Sequence, residues 1–62
     1  MGSEPLLQNL IGHTVQIHSD REGSEVSDTG ILEGFDAHWV CLNKNGEMLY
    51  FSLYRIRLIK PL

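Results

Sequence analysis

Residues 30–42 read GILEGFDAHWVCL, two apolar segments separated by a short polar turn. The first segment, residues 30–36, predicts a strand, and its two glycines indicate a bulge or a close approach of another backbone. The second segment, residues 38–42, predicts the following strand. Between them, the carboxylate of Asp36 is expected to accept backbone N–H groups in the tight turn after Phe35. This stretch therefore predicts two neighbouring strands of an antiparallel sheet.

Further strands are predicted on either side of this pair. They lie at residues 14–18, 47–52 and 56–59, with one helical turn at residues 53–55. The first of them alternates between polar and apolar residues, so Val15 and Ile17 are expected to point inward. Asn45-Gly46 is a strong hairpin signal, and Pro61 is expected to end the last strand. Five short strands are thus predicted in all.

Two segments lie outside the predicted strands. Residues 19–28, SDREGSEVSD, are rich in turn formers and acids, so they predict a loop whose charge equals the net charge of the whole chain, −3, with Val26 as an alternative start of the next strand. Residues 4–11 predict a short amphipathic helix that ends at Gly12. We expect this helix to cover, as a lid, one open end of a barrel formed by the strands. Residues 1–3 are interpreted as a tag remnant or a disordered start.

Five short strands favour a single curled sheet, because they are too few for a sandwich of two good sheets. The expected fold is therefore mainly β: a short N-terminal helix followed, over residues 14–62, by a five-stranded, strongly bent antiparallel barrel. No repeat or low-complexity tract interrupts it, so we expect one domain.

The chain is small for an independently stable domain. Folding removes roughly 6,000 Å² from water, and if about 60% of this area is apolar, its burial contributes about 90 kcal/mol. Ordering 62 residues at about 1.5 kcal/mol each costs nearly the same. The single cysteine, Cys41, excludes a disulfide within the chain, and the histidine spacings fit no zinc signature. Association with further copies is therefore the favoured source of additional stability.

Two segments resemble the motifs of the Sm-like proteins. Residues 30–42 are similar to the first Sm motif, G-x-L-x-x-F-D followed by an apolar strand. Residues 50–61, YFSLYRIRLIKP, resemble the second motif, in which two strands are joined by a 3₁₀ turn and the chain ends near I-x-P. The predicted order of elements, a helix followed by five strands, also agrees with that of the Sm-like proteins. The resemblance spans nearly the whole chain and implies a single Sm-like domain, an SH3-like barrel, over residues 1–62.

The resemblance also implies a homo-oligomeric ring. In Sm-like proteins the fourth strand of one copy pairs with the fifth strand of the next, which removes two exposed sheet edges. Here those edges correspond to residues 48–52 and 56–59. For Trp39 a role as a plug in the core is the alternative to a role at the interface. The side chains expected at the interface are Trp39, Met48, Tyr50, Phe51, Ile56 and Leu58.

Sm-like proteins that hold uridines use three positions, of which one matches here. His38, two residues after Asp36, occupies the position of the base-stacking side chain. Val40 stands where the family has a base-reading asparagine, and Ser52-Leu53 where it has an Arg-Gly pair. The Tyr-Lys-His of the Hfq branch corresponds to Tyr-Phe-Ser at residues 50–52. The candidate RNA-contacting residues are therefore His38, Arg55, Arg57 and Lys60.

The charge distribution leaves RNA binding open. Phosphate binding usually needs basic clusters, whereas the chain is acidic. Three positive charges nevertheless lie in the last eight residues, and ring symmetry would repeat them around one face. The alternative is a solvated strand face, or arginines paired with Asp20 or Glu22 of a neighbour.

Two functions follow from these patterns. The first is a ring-forming Sm-like protein that binds single-stranded RNA, and the second is an oligomeric assembly or protein-interaction module with no nucleic-acid role. An enzyme is not expected, because no acid–base pair or activated nucleophile is evident, and no cofactor, metal or DNA specificity is predicted. No run of 18 apolar residues and no signal-peptide pattern occurs, so with one unpaired cysteine a cytoplasmic location is expected.

Overall fold

The computed structural model describes residues 6–62, which form five strands and two short 3₁₀ helices. The strands are β1 (Thr14–Arg21), β2 (Ser24–Phe35), β3 (Trp39–Lys44), β4 (Glu47–Ser52) and β5 (Ile56–Pro61), and the 3₁₀ helices are Leu6–Leu10 and Leu53–Arg55. All neighbouring strands are antiparallel, and they form one open sheet in the order β4-β3-β2-β1-β5. The expectation of a mainly β chain with five antiparallel strands is confirmed. Within residues 6–62, neither helix is long and apolar enough to cross a membrane.

The connection between β4 and β5 requires the sheet to curl. These strands lie at opposite edges, which would be about 19 Å apart in a flat five-stranded sheet with a spacing of about 4.8 Å. Only Leu53–Arg55 join them, and a 3₁₀ helix rises only about 2 Å per residue. The two edges must therefore bend toward each other, although the sheet stays open. The curl creates a concave face.

The hydrophobic core fills this concave face. Its side chains alternate along the strands with solvent-facing ones, and they are Val15, Ile17, Leu32, Val40, Leu42 and Phe51. The inward orientation predicted for Val15 and Ile17 is confirmed. Asp28, which pairs with Ile17, accepts from Lys44 Nζ at 2.8 Å. This ion pair closes one end of the core with polar atoms.

Residues 19–28 do not form the predicted loop, and that prediction was wrong. They belong to the β1–β2 hairpin, in which Arg21 pairs with Ser24 across a turn of only Glu22 and Gly23. Both turn residues have a positive φ, 52° and 81°, as a tight type I′ hairpin turn requires. Polar composition concealed these strands because their outer face is solvated and their inner face carries small residues such as Ser19, which is buried.

The other turns are as predicted. Asn45 and Gly46 both have a positive φ, and Gly46 N–H donates to the Asn43 side chain at 2.8 Å, so the hairpin between β3 and β4 is confirmed. The helical turn at residues 53–55 is confirmed as a 3₁₀ helix. β5 ends at Pro61, two residues later than the predicted strand.

Within the described residues, the N-terminal segment forms a 3₁₀ helix, Leu6–Leu10, that ends one residue before the end of the helix predicted at residues 4–11. Residues 1–5, including the start of that predicted helix and the interpretation of residues 1–3, lie outside the described residues. A 3₁₀ helix has three residues per turn, so Leu7 and Leu10 lie on the same side of it. Leu10 packs against the core, whereas Leu6 is exposed. Gly12, with φ 87°, lies two residues after the end of this helix and donates its N–H to the carbonyl of Leu32.

Two glycines of β2 have different roles. A Cβ at Gly30 would clash with the backbone oxygen of Asn43, so only glycine permits this approach of β3. At Gly34 the register between β2 and β3 shifts, and Glu33 is the extra residue of a β-bulge. The bulge and the close backbone approach expected from the sequence are both confirmed.

Gly30→Ala is expected to lower the free energy of unfolding by about 1–3 kcal/mol, because the added methyl group overpacks β2 against β3. Gly34→Ala is the matched control, since a Cβ there meets no atom within 4 Å. It should change the free energy of unfolding by less than about 1 kcal/mol. Urea unfolding followed by tryptophan fluorescence measures both variants. Equal destabilisation by the two substitutions would contradict this assignment of the glycines.

Candidate functional site

The convex face of β3 and β4 carries exposed apolar side chains. Trp39 is 50% exposed and Tyr50 is 66% exposed. Cys41 pairs with Tyr50 across the strands, and its Sγ lies 3.8 Å from Sδ of Met48, so these four side chains form one patch. Since Trp39 alternates with the buried Val40, the core-plug alternative is excluded and the indole lies on the surface.

A shallow depression of about 270 Å³ adjoins this patch. It is lined by Glu33, Gly34, Phe35, Asp36, Trp39, Cys41 and Tyr50. Gly34 pairs with Cys41, and cross-strand partners share a face of the sheet. A Cβ added at Gly34 would meet no atom within 4 Å. The depression therefore exists because the strand position opposite Cys41 carries no side chain.

Asp36 organises the turn beside the depression. Its Oδ1 accepts the backbone N–H groups of His38 and Trp39, each at 2.8 Å. These two hydrogen bonds, first that from His38, hold the pKa of Asp36 below its usual range, so the carboxylate is ionised at neutral pH. The predicted role of Asp36 is confirmed. The same bonds position the start of β3 and with it the indole of Trp39.

Glu33 places a second carboxylate at the depression. Its Oε2 accepts from Nδ2 of Asn43 at 3.0 Å, which ties the extra residue of the bulge to β3. On the opposite side, the neighbouring Cys41 raises the pKa of Tyr50 above its usual range. The depression thus combines aromatic surfaces with two carboxylates.

Two of the candidate RNA-contacting residues lie close together. His38 is exposed, and its carbonyl accepts the N–H of Leu53 at 2.9 Å. The second 3₁₀ helix, which includes the exposed Arg55, therefore lies beside the turn that carries His38. The Asp36 carboxylate is at the same place and gives this end of the sheet a negative charge as well.

The other two candidates lie on β5, Arg57 only two positions after Arg55 and Lys60 near the end of the strand. Arg57 is the extra residue of a bulge between β1 and β5, and its Nε lies 3.0 Å from both carboxylate oxygens of Asp20. The pairing of an arginine with Asp20 was an alternative in the sequence, but it occurs within one chain rather than with a neighbour. Lys60 pairs with Gln16, about 13 Å along β5 from Ile56. The four residues therefore do not form one basic cluster.

The side chains expected at an interface divide into two groups. Trp39, Met48, Tyr50 and Leu58 are exposed. Phe51 is 8% exposed and belongs to the core, because it pairs with Val40 on the concave face. Ile56 pairs with the buried Ser19 and also packs against the core. Phe51 and Ile56 are therefore available to a partner mainly through the backbone of their edge strands.

The sequence did not identify Glu33, Gly34 and Phe35 as site residues. The sequence feature that pointed to them was the β-bulge indicated by glycine. Gly34 has no side chain and Glu33 is the extra residue of the bulge, and both line the depression. Among residues 6–62, no three His, Cys, Asp or Glu side chains lie close enough to hold a metal ion.

Asp36→Asn is expected to reduce the pH dependence of stability in acid. The pKa of Asp36 is lower in the folded chain than in the unfolded chain, so the ionised carboxylate stabilises the fold at pH values above the ordinary pKa of about 3.9. This stabilisation is lost as the pH falls through the pKa of the folded state. Asparagine keeps an acceptor oxygen but does not titrate. The difference in free energy of unfolding between wild type and variant should therefore shrink below about pH 4 in urea unfolding series. A difference that stays constant into strong acid would contradict the prediction.

No protein family, no characterised protein and no solved structure matches this chain.

Proposed function

We propose that this chain is a self-assembling Sm-like module in which β4 of one copy pairs with β5 of the next. The observation that supports this function is the open sheet, whose two edges are β4 and β5. An edge strand presents unpaired N–H and C=O groups, and pairing two edges between copies satisfies them. The function is thus assembly and binding rather than catalysis.

Each edge also carries exposed apolar side chains. Met48 and Tyr50 project from β4, and Leu58, which is 53% exposed, projects from β5. Pairing of the edges would bury part of this surface, at about 25 cal/mol for each Å² of apolar area. A chain of 62 residues has little core of its own, so this burial would contribute the stability that its size leaves lacking.

An Sm-like barrel is part of the proposal. The curl of the sheet, the 3₁₀ helix between the fourth and fifth strands, and the helical segment before β1 agree with the features that the resemblance implies. Leu10 packs against the core, which supports the interpretation of the N-terminal segment as a lid over one end.

The wild-type chain is expected to form a discrete homo-oligomer in native mass spectrometry and light scattering. Met48→Lys and Leu58→Lys should shift it to smaller species, because a lysine on an edge strand opposes pairing with another edge. Thr29→Lys is the matched control, since it adds the same charge at an exposed position of the central strand β2. A wild-type chain that is monomeric at every concentration tested would contradict the proposal.

Binding of single-stranded RNA is the second candidate function. It is supported by the exposed His38, whose carbonyl accepts the N–H of Leu53 at the start of the 3₁₀ helix that carries Arg55. Two contacts weigh against it: the Asp36 carboxylate lies at the same turn, and Asp20 offsets the charge of Arg57. We therefore rank it below assembly without a nucleic-acid role.

Titration of labelled U-rich and A-rich RNA is expected to show no binding at either of two salt concentrations, because phosphates would approach carboxylates at the turn. The titration uses fluorescence anisotropy with the wild type and His38→Ala. Binding that weakens with salt and with His38→Ala would reverse the ranking in favour of RNA.

A further inference from the structure

The depression beside Gly34 has aromatic walls. Trp39 and Tyr50 lie on the neighbouring strands β3 and β4, and half or more of each side chain is exposed. An aromatic face attracts a cation within about 6 Å of the ring centre, and tryptophan does so best. The indole and the phenol therefore provide surfaces for a flat cationic group.

The rim of the depression is acidic. Glu33 and Asp36 each use one oxygen in the hydrogen bonds that position them, Oε2 of Glu33 with Asn43 and Oδ1 of Asp36 with two backbone N–H groups. The second oxygen of each carboxylate accepts no hydrogen bond from any residue between 6 and 62. Two oxygens are thus available to N–H donors of a ligand, whereas a phosphate would be repelled.

The size of the depression limits what enters it. Its volume of about 270 Å³ is below the roughly 300–1,000 Å³ of common small-molecule pockets. It is a shallow, open space, formed where Gly34 has no side chain. Such a space suits the end of one long side chain better than a whole metabolite.

We propose that this depression binds the guanidinium group of an arginine from a partner polypeptide. The guanidinium stacks on Trp39 and donates to the free oxygens of Glu33 and Asp36. Arginine is favoured over lysine because its planar group can stack and donate in a fork at the same time. The partner is therefore a segment of another protein that presents an exposed arginine. The inference does not depend on ring formation, because Trp39, Glu33 and Asp36 lie on β3, on β2 and in the turn between them, whereas assembly would pair the edge strand β4 and cover part of Tyr50.

Fluorescence of Trp39, the single tryptophan, reports occupancy of the site directly. An acetylated and amidated peptide Gly-Ser-Arg-Ser-Gly is titrated into the full chain, beside the same peptide with citrulline or lysine in place of arginine. Citrulline has the shape of arginine without its charge. The arginine peptide is expected to bind at least about tenfold more tightly than the citrulline peptide, because cation–π attraction and charge-assisted hydrogen bonds are lost together. The lysine peptide should bind more weakly than the arginine peptide.

Three variants test the location of the site. Gly34→Val fills the depression and should abolish binding, while valine suits a strand and its Cβ meets no atom within 4 Å. Circular dichroism and thermal unfolding verify that this variant is folded. Glu33→Gln should weaken binding of the arginine peptide. Glu22→Gln, which removes an equal charge from the β1–β2 turn, is the matched control and should leave the affinity unchanged.

Several results would overturn the proposal. They are equal affinities for the arginine and citrulline peptides, binding that persists in folded Gly34→Val, and equal weakening by Glu33→Gln and Glu22→Gln. A lysine peptide that binds as tightly as the arginine peptide would overturn the choice of guanidinium. Amide shifts in NMR spectra of the labelled chain supply a second measurement. They should centre on Gly34 and Trp39, and shifts centred on the acidic β1–β2 hairpin would also overturn the assignment.

Discussion

Three residues carry the chain from one edge of the sheet to the other. The connector Leu53–Arg55 begins with a cap, in which Ser52 Oγ accepts the N–H of Tyr54, and the N–H of Leu53 is bonded to the carbonyl of His38. A connector this short cannot cross a flat five-stranded sheet, so the sheet must curl. The curl defines the concave face, and alternation along the strands then decides which side chains are buried there.

The same curl explains the outer surface. When Val40 and Phe51 enter the core, Trp39 and Tyr50 must point outward, because neighbouring residues of a strand lie on opposite faces. The bulge at Glu33 adds a carboxylate to that face and leaves the position of Gly34 empty. The aromatic and acidic depression is therefore a consequence of the β-bulge in β2, at which the pairing with β3 shifts by one residue.

Local patterns predicted the parts of the fold that depend on residues close in sequence. The Asn45-Gly46 turn, the turn in which Asp36 accepts backbone N–H groups and the alternation at the start of β1 were all predicted from the sequence, since each depends on backbone geometry over a few residues. The outer part of the β1–β2 hairpin, residues 19–28, was missed for the complementary reason. This part lacks an apolar run, and its two strands are held by pairing with each other rather than by a strong pattern of their own.

The sequence alone determined a mainly β chain, its five strands and most of its turns, because hydrophobic alternation and turn preferences are local properties. Only the tertiary structure decided which distant residues meet. Arg57 pairs with Asp20, 37 positions away, and Gly34 lies opposite Cys41, because strand register and bulges set these contacts. A shift of one residue would send each side chain to the other face, and no tight turn joins β1 to β5 to fix the register between them.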